Sequence, residues 1–276
     1  MLATAIIVFR EILEAALIVG IVLAASRGAL GRGLFVVLGV AGGLLGAALV
    51  AGFAAEIADA VSGFGQEAFN AGILLIAVVM LGWHNVWMSR HGRELGKQMS
   101  DVGHAVRDGG RPLYVLAVVV GVAVLREGSE TVLFLYGIAA TASGQGVAML
   151  AGGGLGVVLG VACGAGLYFG LLKIPTRYLF SVTSWLVLLL AAGMAAQAAG
   201  FLVAADMVPA LGSQVWDSSA WLARDGIAGR VLHTLIGYDD RPAGIQVVCY
   251  VATLGVIGGL MQTIGRTPRM VGAGRS

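Results

Sequence analysis

Seven near-continuous apolar stretches run through the sequence, and they limit its fold more than any other feature. Each is long enough for a helix to cross the roughly 30 Å of hydrocarbon in a membrane. At this length in lipid, only a helix satisfies the hydrogen bonds of its own backbone. The sequence therefore predicts an all-α polytopic membrane protein with seven transmembrane helices, at about residues 2–25, 33–55, 68–88, 113–138, 147–172, 178–205 and 244–264.

The composition agrees with a protein whose main solvent is lipid. Hydrophobic residues make up 58% of the 276 residues and charged residues only 12%, whereas a soluble domain is about a quarter charged. The net charge is only +2 and no basic stripe is present, which argues against nucleic-acid binding. The two cysteines lie in apolar stretches and form no CxxC motif, so we expect both to be small, buried apolar residues.

Positive charges are distributed unequally between the two sides of the predicted helices. If the N-terminus is outside, the inside segments hold twelve of the 17 lysines and arginines, the outside segments three and the helices two. Positive residues accumulate on the cytoplasmic side of membrane proteins. The sequence therefore predicts an N-out, C-in arrangement in the cytoplasmic (inner) membrane.

The motif Arg-Glu-x-x-Glu occurs near the middle of both the first and the fourth predicted helix. On a helix its two glutamates share a face, and the arginine pairs with the second glutamate at i+4. Each motif therefore confines its three charges to about one third of the helix circumference. The six residues are Arg10, Glu11 and Glu14 in the first helix, and Arg126, Glu127 and Glu130 in the fourth.

The cost of these charges indicates that they have a function. A charged residue at the centre of a bilayer costs roughly 2.5–3.5 kcal/mol or more, so all six are expected to face the interior of the bundle. Two arginine–glutamate clamps that only hold helices together are the alternative, but four carboxylates facing two guanidiniums leave a surplus of −2. A visiting cation would compensate that surplus. Carboxylate oxygens suit ferric, ferrous and other oxygen-preferring ions, so Glu11, Glu14, Glu127 and Glu130 are the predicted metal ligands, with Arg10 and Arg126 as balancing charges.

The spacing of the motifs predicts two inverted repeats. The copies are offset by three helices, so the first motif helix runs inward and the fourth outward, as in many secondary transporters. Glycines at four-residue spacing follow each motif helix, which suggests a charged helix beside a glycine-rich one in each repeat. The whole chain, 1–276, is then one transmembrane domain, with repeats at about 1–111 and 112–205, an outer segment at 206–243, a seventh helix at 244–264 and an inner tail at 265–276.

Other polar residues are candidates for the ion's way in or out. Gln66 and Glu67 begin the third helix at the outer mouth, where they attract a cation or simply form a solvated helix start. His84, toward the inner end of that helix, is either a ligand or a hydrogen-bonded packing residue. Asp239 and Asp240 belong to a mildly acidic outer surface. Apolar residues at helical spacing in 227–236 predict an amphipathic helix lying on that surface, as a lid or docking site.

The chain resembles the high-affinity iron permease family, which includes the oxidase-coupled ferric permeases of fungi and bacterial iron-uptake permeases. The resemblance covers essentially the whole sequence and is carried by the charged motifs at 10–14 and 126–130, with further similarity at 65–67, 83–88 and 237–242. It implies iron import, commonly of ferric iron, with the glutamates as ligands in the translocation path. It also implies an extracytoplasmic oxidase or iron-carrier protein as partner. Charge alone does not choose between Fe²⁺ and Fe³⁺, because protonation of a glutamate changes the sum.

The sequence thus favours a permease without catalytic activity or a resident cofactor, carrying iron by alternating access as one repeat rocks against the other. An intramembrane carboxylate-bridged metalloenzyme is the second interpretation, but di-iron sites take histidines from Glu-x-x-His, and neither motif helix contains one. A transporter of another metal such as manganese or lead also fits. The sequence leaves the oligomeric state open.

Overall fold

The computed structural model describes residues 1–61, 66–141, 146–171, 176–224 and 226–265. Within these ranges the chain is all helical and has no strand, which confirms the predicted fold class. The inner tail predicted at 265–276 lies outside the described residues except for its first position. The eight described helices are α1 (Leu2–Ala25), α2 (Arg32–Val61), α3 (Gln66–Arg107), α4 (Tyr114–Thr141), α5 (Gly146–Tyr168), α6 (Thr176–Ala204), α7 (Ile227–Ile236) and α8 (Gly244–Gly265).

Five of the described helices are long and apolar enough to cross a membrane, namely α2, α3, α5, α6 and α8. The chain is therefore a multi-pass membrane protein. Helices α1 and α4 have comparable lengths of 24 and 28 residues, but each contains the three charged residues of the motif. Seven membrane-spanning helices, their N-out orientation and the inverted repeat remain predictions.

Helix α3 is far longer than the sequence suggested. It continues to Arg107, past the end of its apolar span at Met88, whereas the predicted third helix ends at about residue 88. The extension is held by packing at the end of α1, where Gly103 meets Ala25 and Val106 joins the buried cluster around Val22. Tertiary contacts thus keep a polar stretch helical that hydropathy alone assigns to a loop.

The closest helix packing joins the two predicted repeats to each other. Glycines 39 and 43 of α2 press against α4, where a Cβ built on Gly43 would lie 2.7 Å from the carbonyl oxygen of Gly121. In the same way the glycines of α5 press against α1, and a Cβ on Gly156 would lie 2.7 Å from the carbonyl oxygen of Ala5. The expectation that each charged helix lies beside the glycine-rich helix of its own repeat is therefore wrong.

The reason is complementarity between small residues, which the order of helices along the chain does not reveal. In membranes, helices associate where small residues let backbones approach. We call the contact between the glycines of α2 and helix α4, and that between the glycines of α5 and helix α1, the two glycine seams. The α4 side includes Ala117 and Gly121, and the α1 side includes Ala5 and Ala16. The glycines of α2 thus pack against small residues of α4, and the glycines of α5 pack against small residues of α1, so each contact joins one predicted repeat to the other.

This packing makes alanine at position 43 disruptive. The added methyl group would meet backbone atoms of α4 that cannot move aside, so Gly43→Ala is expected to lower stability by about 1–3 kcal/mol. Gly42→Ala is the matched control, because nothing lies within 4 Å of a Cβ at Gly42 and alanine favours the helix. Thermal denaturation of the purified variants in detergent measures the difference, and equal melting temperatures would contradict the seam.

The third group of packed helices consists of α3, α6 and α8. The side-chain amide of Asn85 in α3 donates to the carbonyl oxygen of Ser184 in α6 at 3.0 Å. Ile257 of α8 contacts α3 at Gly82, and Gln246 of α8 contacts α6 at Gly200. This group contributes most of the buried apolar cluster that lies next to the charged motifs.

The segment between α6 and α8 contacts the interior of the bundle at one point. Its amphipathic helix forms at α7 as predicted, but Gly237, the residue that caps α7, packs backbone to backbone against Gly193 of α6. Gly193 lies eleven residues before the end of α6, which is about 16 Å along the helix axis. The C-terminal end of α7 therefore reaches the interior of the bundle, while the position of the helix on the outer surface remains a prediction. The contact depends on two glycines, of which Gly237 also adopts a left-handed φ of 69°.

Candidate metal site

Each charged motif forms the intrahelical pair predicted from its spacing. The Arg10 Nε donates to an oxygen of Glu14 at 3.0 Å, and the Arg126 Nε donates to an oxygen of Glu130 at 3.0 Å. One guanidinium and one carboxylate in each motif therefore neutralise each other. The predicted pairing at i+4 is confirmed.

The structure brings the two motifs together in the interior of the bundle. Helices α1 and α4 are in contact, and ligand atoms of Glu11, Glu127, Glu130 and His84 all lie within 4.8 Å of one another. The carboxylates do not point to separate surfaces, because Glu11, Glu14 and Glu127 are all buried. We call Glu11, Glu14, His84, Glu127 and Glu130 the carboxylate cluster.

Two glutamates of the carboxylate cluster have no strong partner. Both carboxylate oxygens of Glu11 and one of Glu127 are buried without a hydrogen bond to any described residue. The nearest arginine nitrogen is 4.0 Å away in each case. Since the other two glutamates are paired with Arg10 and Arg126, the formal surplus of −2, with His84 counted as neutral, resides on Glu11 and Glu127. Buried unpaired charge is costly, so these two residues are the ones that gain most from a cation.

His84 lies between the two charged motifs, a position that was not predicted from the sequence. It projects from α3 between the two motifs and is only 3% exposed. Its Nε2 lies 3.5 Å from an oxygen of Glu14, and its Nδ1 is in close contact with an oxygen of Glu130. The sequence offered His84 as a packing residue or as a ligand near the inner end of the helix, without any signal that it faces both motifs.

The two halves of the cluster differ in their access to solvent. Arg10 is 1% exposed, whereas the side chain of Arg126 is 35% exposed. A cavity of about 430 Å³ between α3 and α4 reaches the Arg126 half, and its lining is Val79, Met80, Trp83, His84, Trp87, Arg126 and Glu130. The Arg126 guanidinium lies over the Trp87 ring at 4.2 Å from its centroid, a cation–π contact that holds it at the cavity wall.

The opposite side of the cluster is sealed by apolar side chains. Ile7 lies one helical turn from Glu11, and Phe134 lies one turn from Glu130, both toward the end of the bundle where α7 enters. Both are 1% exposed and belong to one buried cluster with Leu74 and Met194. The carboxylate cluster is thus accessible from one direction and closed in the other.

The remaining predicted residues lie apart from this group. Gln66 begins α3, and its side chain lies outside the described part of the structure, while Glu67 is exposed. Asp239 forms an ion pair with Arg224 at 3.4 Å, and Asp240 accepts a hydrogen bond from the backbone N–H of Arg224 at 3.1 Å. Both aspartates therefore help to fold the segment around α7. Their role in ion entrance remains a prediction.

A second cavity, of about 190 Å³, lies between this segment and helices α6 and α8. Its lining includes Gln197, Trp216, His233, Asp239 and Gln246. Beside it, the hydroxyl and backbone N–H of Ser219 hold the pKa of Asp217 at about 2, with help from Arg241. These groups give the α7 end of the bundle a polar, ionised surface.

Fold and site together define a multi-pass helical membrane protein with a buried, partly unneutralised carboxylate cluster. Comparison with known proteins agrees with this description: the model of the Iron permease FTR1 family matches residues 1–271. The chain belongs to this family of iron permeases.

Individual relatives support the assignment. The chain is 32% identical to a protein named ferrous iron permease EfeU from Escherichia coli O6:H1 (strain CFT073), over 89% of each chain. It has the same identity and coverage with the ferrous iron permease EfeU of Shigella sonnei. With the ferrous iron permease EfeU of Shigella flexneri it shares 31% identity over 67% of this chain and 78% of that protein. No solved structure matches the chain.

Proposed function

We propose that this protein imports iron, as Fe²⁺, across the cytoplasmic membrane through the carboxylate cluster. The observation that carries the proposal is the pair of buried carboxylates Glu11 and Glu127, three of whose oxygens have no hydrogen-bond partner among the described residues and whose nearest arginine nitrogens are 4.0 Å away. They are the primary ligands in this proposal. Glu14 and Glu130 complete the cluster and keep Arg10 and Arg126 in place.

The charge of the cluster favours the divalent ion. With both arginines paired, Glu11 and Glu127 leave a formal charge of −2, which Fe²⁺ cancels and Fe³⁺ exceeds. A neutral loaded site costs least in a low-dielectric interior. The relatives are also named ferrous iron permeases. We therefore prefer Fe²⁺ to the ferric ion that the family resemblance suggested, and an extracytoplasmic oxidase or iron-carrier protein as partner remains part of the proposal.

Alternating access accounts for the unequal closure of the cluster. In the N-out orientation with seven spanning helices, the cavity at Trp87 lies on the inner side and the seal at Ile7 and Phe134 on the outer side. The described conformation then corresponds to an inward-open state. Because the glycine seams tie α1 to α5 and α2 to α4, we propose that these pairs are the moving units within the inverted-repeat architecture. Motion of two intact three-helix repeats would break both seams.

Transport assays in proteoliposomes test this proposal. Purified protein is reconstituted, and radioactive iron is supplied either as Fe²⁺ with ascorbate or as Fe³⁺ citrate. We expect uptake of Fe²⁺ well above that of empty liposomes, with weaker uptake from Fe³⁺. Uptake of Mn²⁺ or Pb²⁺ without uptake of iron would identify a transporter of another metal. Oxygen consumption on addition of Fe²⁺, without iron uptake, would identify the intramembrane metalloenzyme.

A further inference from the structure

The contacts of His84 suggest how the carboxylate cluster selects among metal ions. The imidazole reaches from α3 to both charged helices, with Nδ1 at Glu130 of α4 and Nε2 at Glu14 of α1. It lies in the same group of ligand atoms as the unpartnered Glu11 and Glu127. It is therefore the one described nitrogen donor without permanent charge in the carboxylate cluster.

The two ring nitrogens have different surroundings. Nδ1 faces Glu130 and Nε2 faces Glu14, so a neutral imidazole that carries its proton on Nδ1 directs the N–H toward the Glu130 carboxylate. Nε2 then keeps its lone pair. A histidine that ligates a metal commonly donates its other N–H to a carboxylate in this way, which fixes the ring and its tautomer.

The distance from Nε2 to Glu14 fits two donors that share one ion. In that tautomer the Nε2 lone pair and a Glu14 carboxylate oxygen, 3.5 Å apart, repel each other, and a cation bound beside both relieves the repulsion. Two ligands at about 2.1 Å from a metal are themselves roughly 3–3.5 Å apart in tetrahedral or octahedral geometry. The spacing therefore suits adjacent positions in one coordination sphere.

We propose that Nε2 of His84 is a metal ligand and that it makes the site select first-row transition-metal ions over Mg²⁺ and Ca²⁺. The inference rests on the proposed function, since it assigns specificity to the same site. Glu11 and Glu127 supply charge and oxygen donors, which all these ions accept. The imidazole supplies the discrimination, because Mg²⁺ and Ca²⁺ prefer all-oxygen sites whereas imidazole suits Fe, Ni, Cu and Zn.

Pulsed EPR of Mn²⁺ bound to the purified wild-type protein tests the ligand directly. A nitrogen hyperfine coupling from one directly bound imidazole is expected, and it should disappear in His84→Gln. His91→Gln is the matched control, because His91 lies on the same helix, stacks on Trp87 and contacts the backbone carbonyl oxygen of Trp87 through Nδ1 at 3.2 Å. Bound Mn²⁺ without nitrogen coupling in the wild type would overturn the proposal even if His84→Gln failed to fold.

Competition for uptake tests the selectivity. In proteoliposomes carrying the wild type, a large excess of Mg²⁺ or Ca²⁺ should leave Fe²⁺ uptake nearly unchanged. In His84→Gln, the affinity for Fe²⁺ should fall by about 10- to 100-fold, and Ca²⁺ should become an effective competitor. Unchanged selectivity in His84→Gln would overturn the role of His84 while leaving the carboxylate site intact. Loss of Fe²⁺ uptake by the wild type itself would instead refute the proposed function.

Discussion

Glutamine at position 11 or 127 is expected to reduce iron uptake by at least about 30-fold. The amide keeps the size of the side chain but removes the negative charge that an incoming cation would meet, and loss of one partner of a buried charged contact costs 2–5 kcal/mol. Radioactive iron uptake by proteoliposomes with equal amounts of each variant measures the effect. Glu94→Gln is the control, because Glu94 is exposed on the polar part of α3.

The same substitutions should leave the fold at least as stable. Both oxygens of Glu11 and one oxygen of Glu127 are buried without a hydrogen-bond partner among the described residues, so a neutral amide removes a desolvation cost. We expect the melting temperatures of Glu11→Gln and Glu127→Gln in detergent to equal or exceed that of the wild type. Uptake within twofold of the wild type in either variant would contradict the assignment of these residues as primary ligands.

Methionine at Arg10 is expected to destabilise the protein far more than methionine at Arg126. Arg10 and Glu14 are almost completely buried, so removal of the guanidinium leaves a carboxylate uncompensated in the interior, at a cost of about 3–5 kcal/mol. Arg126 and Glu130 are 35% and 17% exposed, so removal of the guanidinium there leaves a carboxylate that is less deeply buried than Glu14. Size-exclusion chromatography of heated detergent samples compares the two variants.

A double replacement separates charge from packing in this second experiment. If the loss in Arg10→Met comes from the unpaired carboxylate, then Arg10→Met combined with Glu14→Gln should recover much of the stability, because both members of the buried pair are then neutral. Equal melting temperatures for Arg10→Met and Arg126→Met would contradict the difference in burial between the two halves of the cluster.

The local features of the site could be predicted from the sequence because they depend on helical geometry alone. The pairs Arg10–Glu14 and Arg126–Glu130 follow from i,i+4 spacing in helices that lipid enforces. The convergence of the two motifs follows from the cost of charge in lipid. Each argument uses only the spacing of residues within single helices and the cost of placing charge in lipid.

Features that depend on helix rotation and register could not be predicted in this way. His84 faces the motifs because α3 is turned so that Met80, His84 and Trp87 line one cavity, and an all-round apolar helix gives no sign of that rotation. The contact between the end of α7 and α6 was not predicted either. An amphipathic pattern describes which face is apolar, but it does not distinguish a helix on a membrane surface from one whose end contacts Gly193 inside a bundle.

Because each glycine seam joins a helix from the first half of the chain to one from the second half, the seams also determine when the carboxylate cluster can form during synthesis. After the first three helices have left the ribosome, α1 lacks α5 and α2 lacks α4, so neither has the small-residue surface on which it finally packs. Glu11 is then present without Glu127. A nascent half-protein therefore has only part of the carboxylate cluster, and the complete cluster proposed to bind the ion forms only when the second half has inserted and both seams have closed.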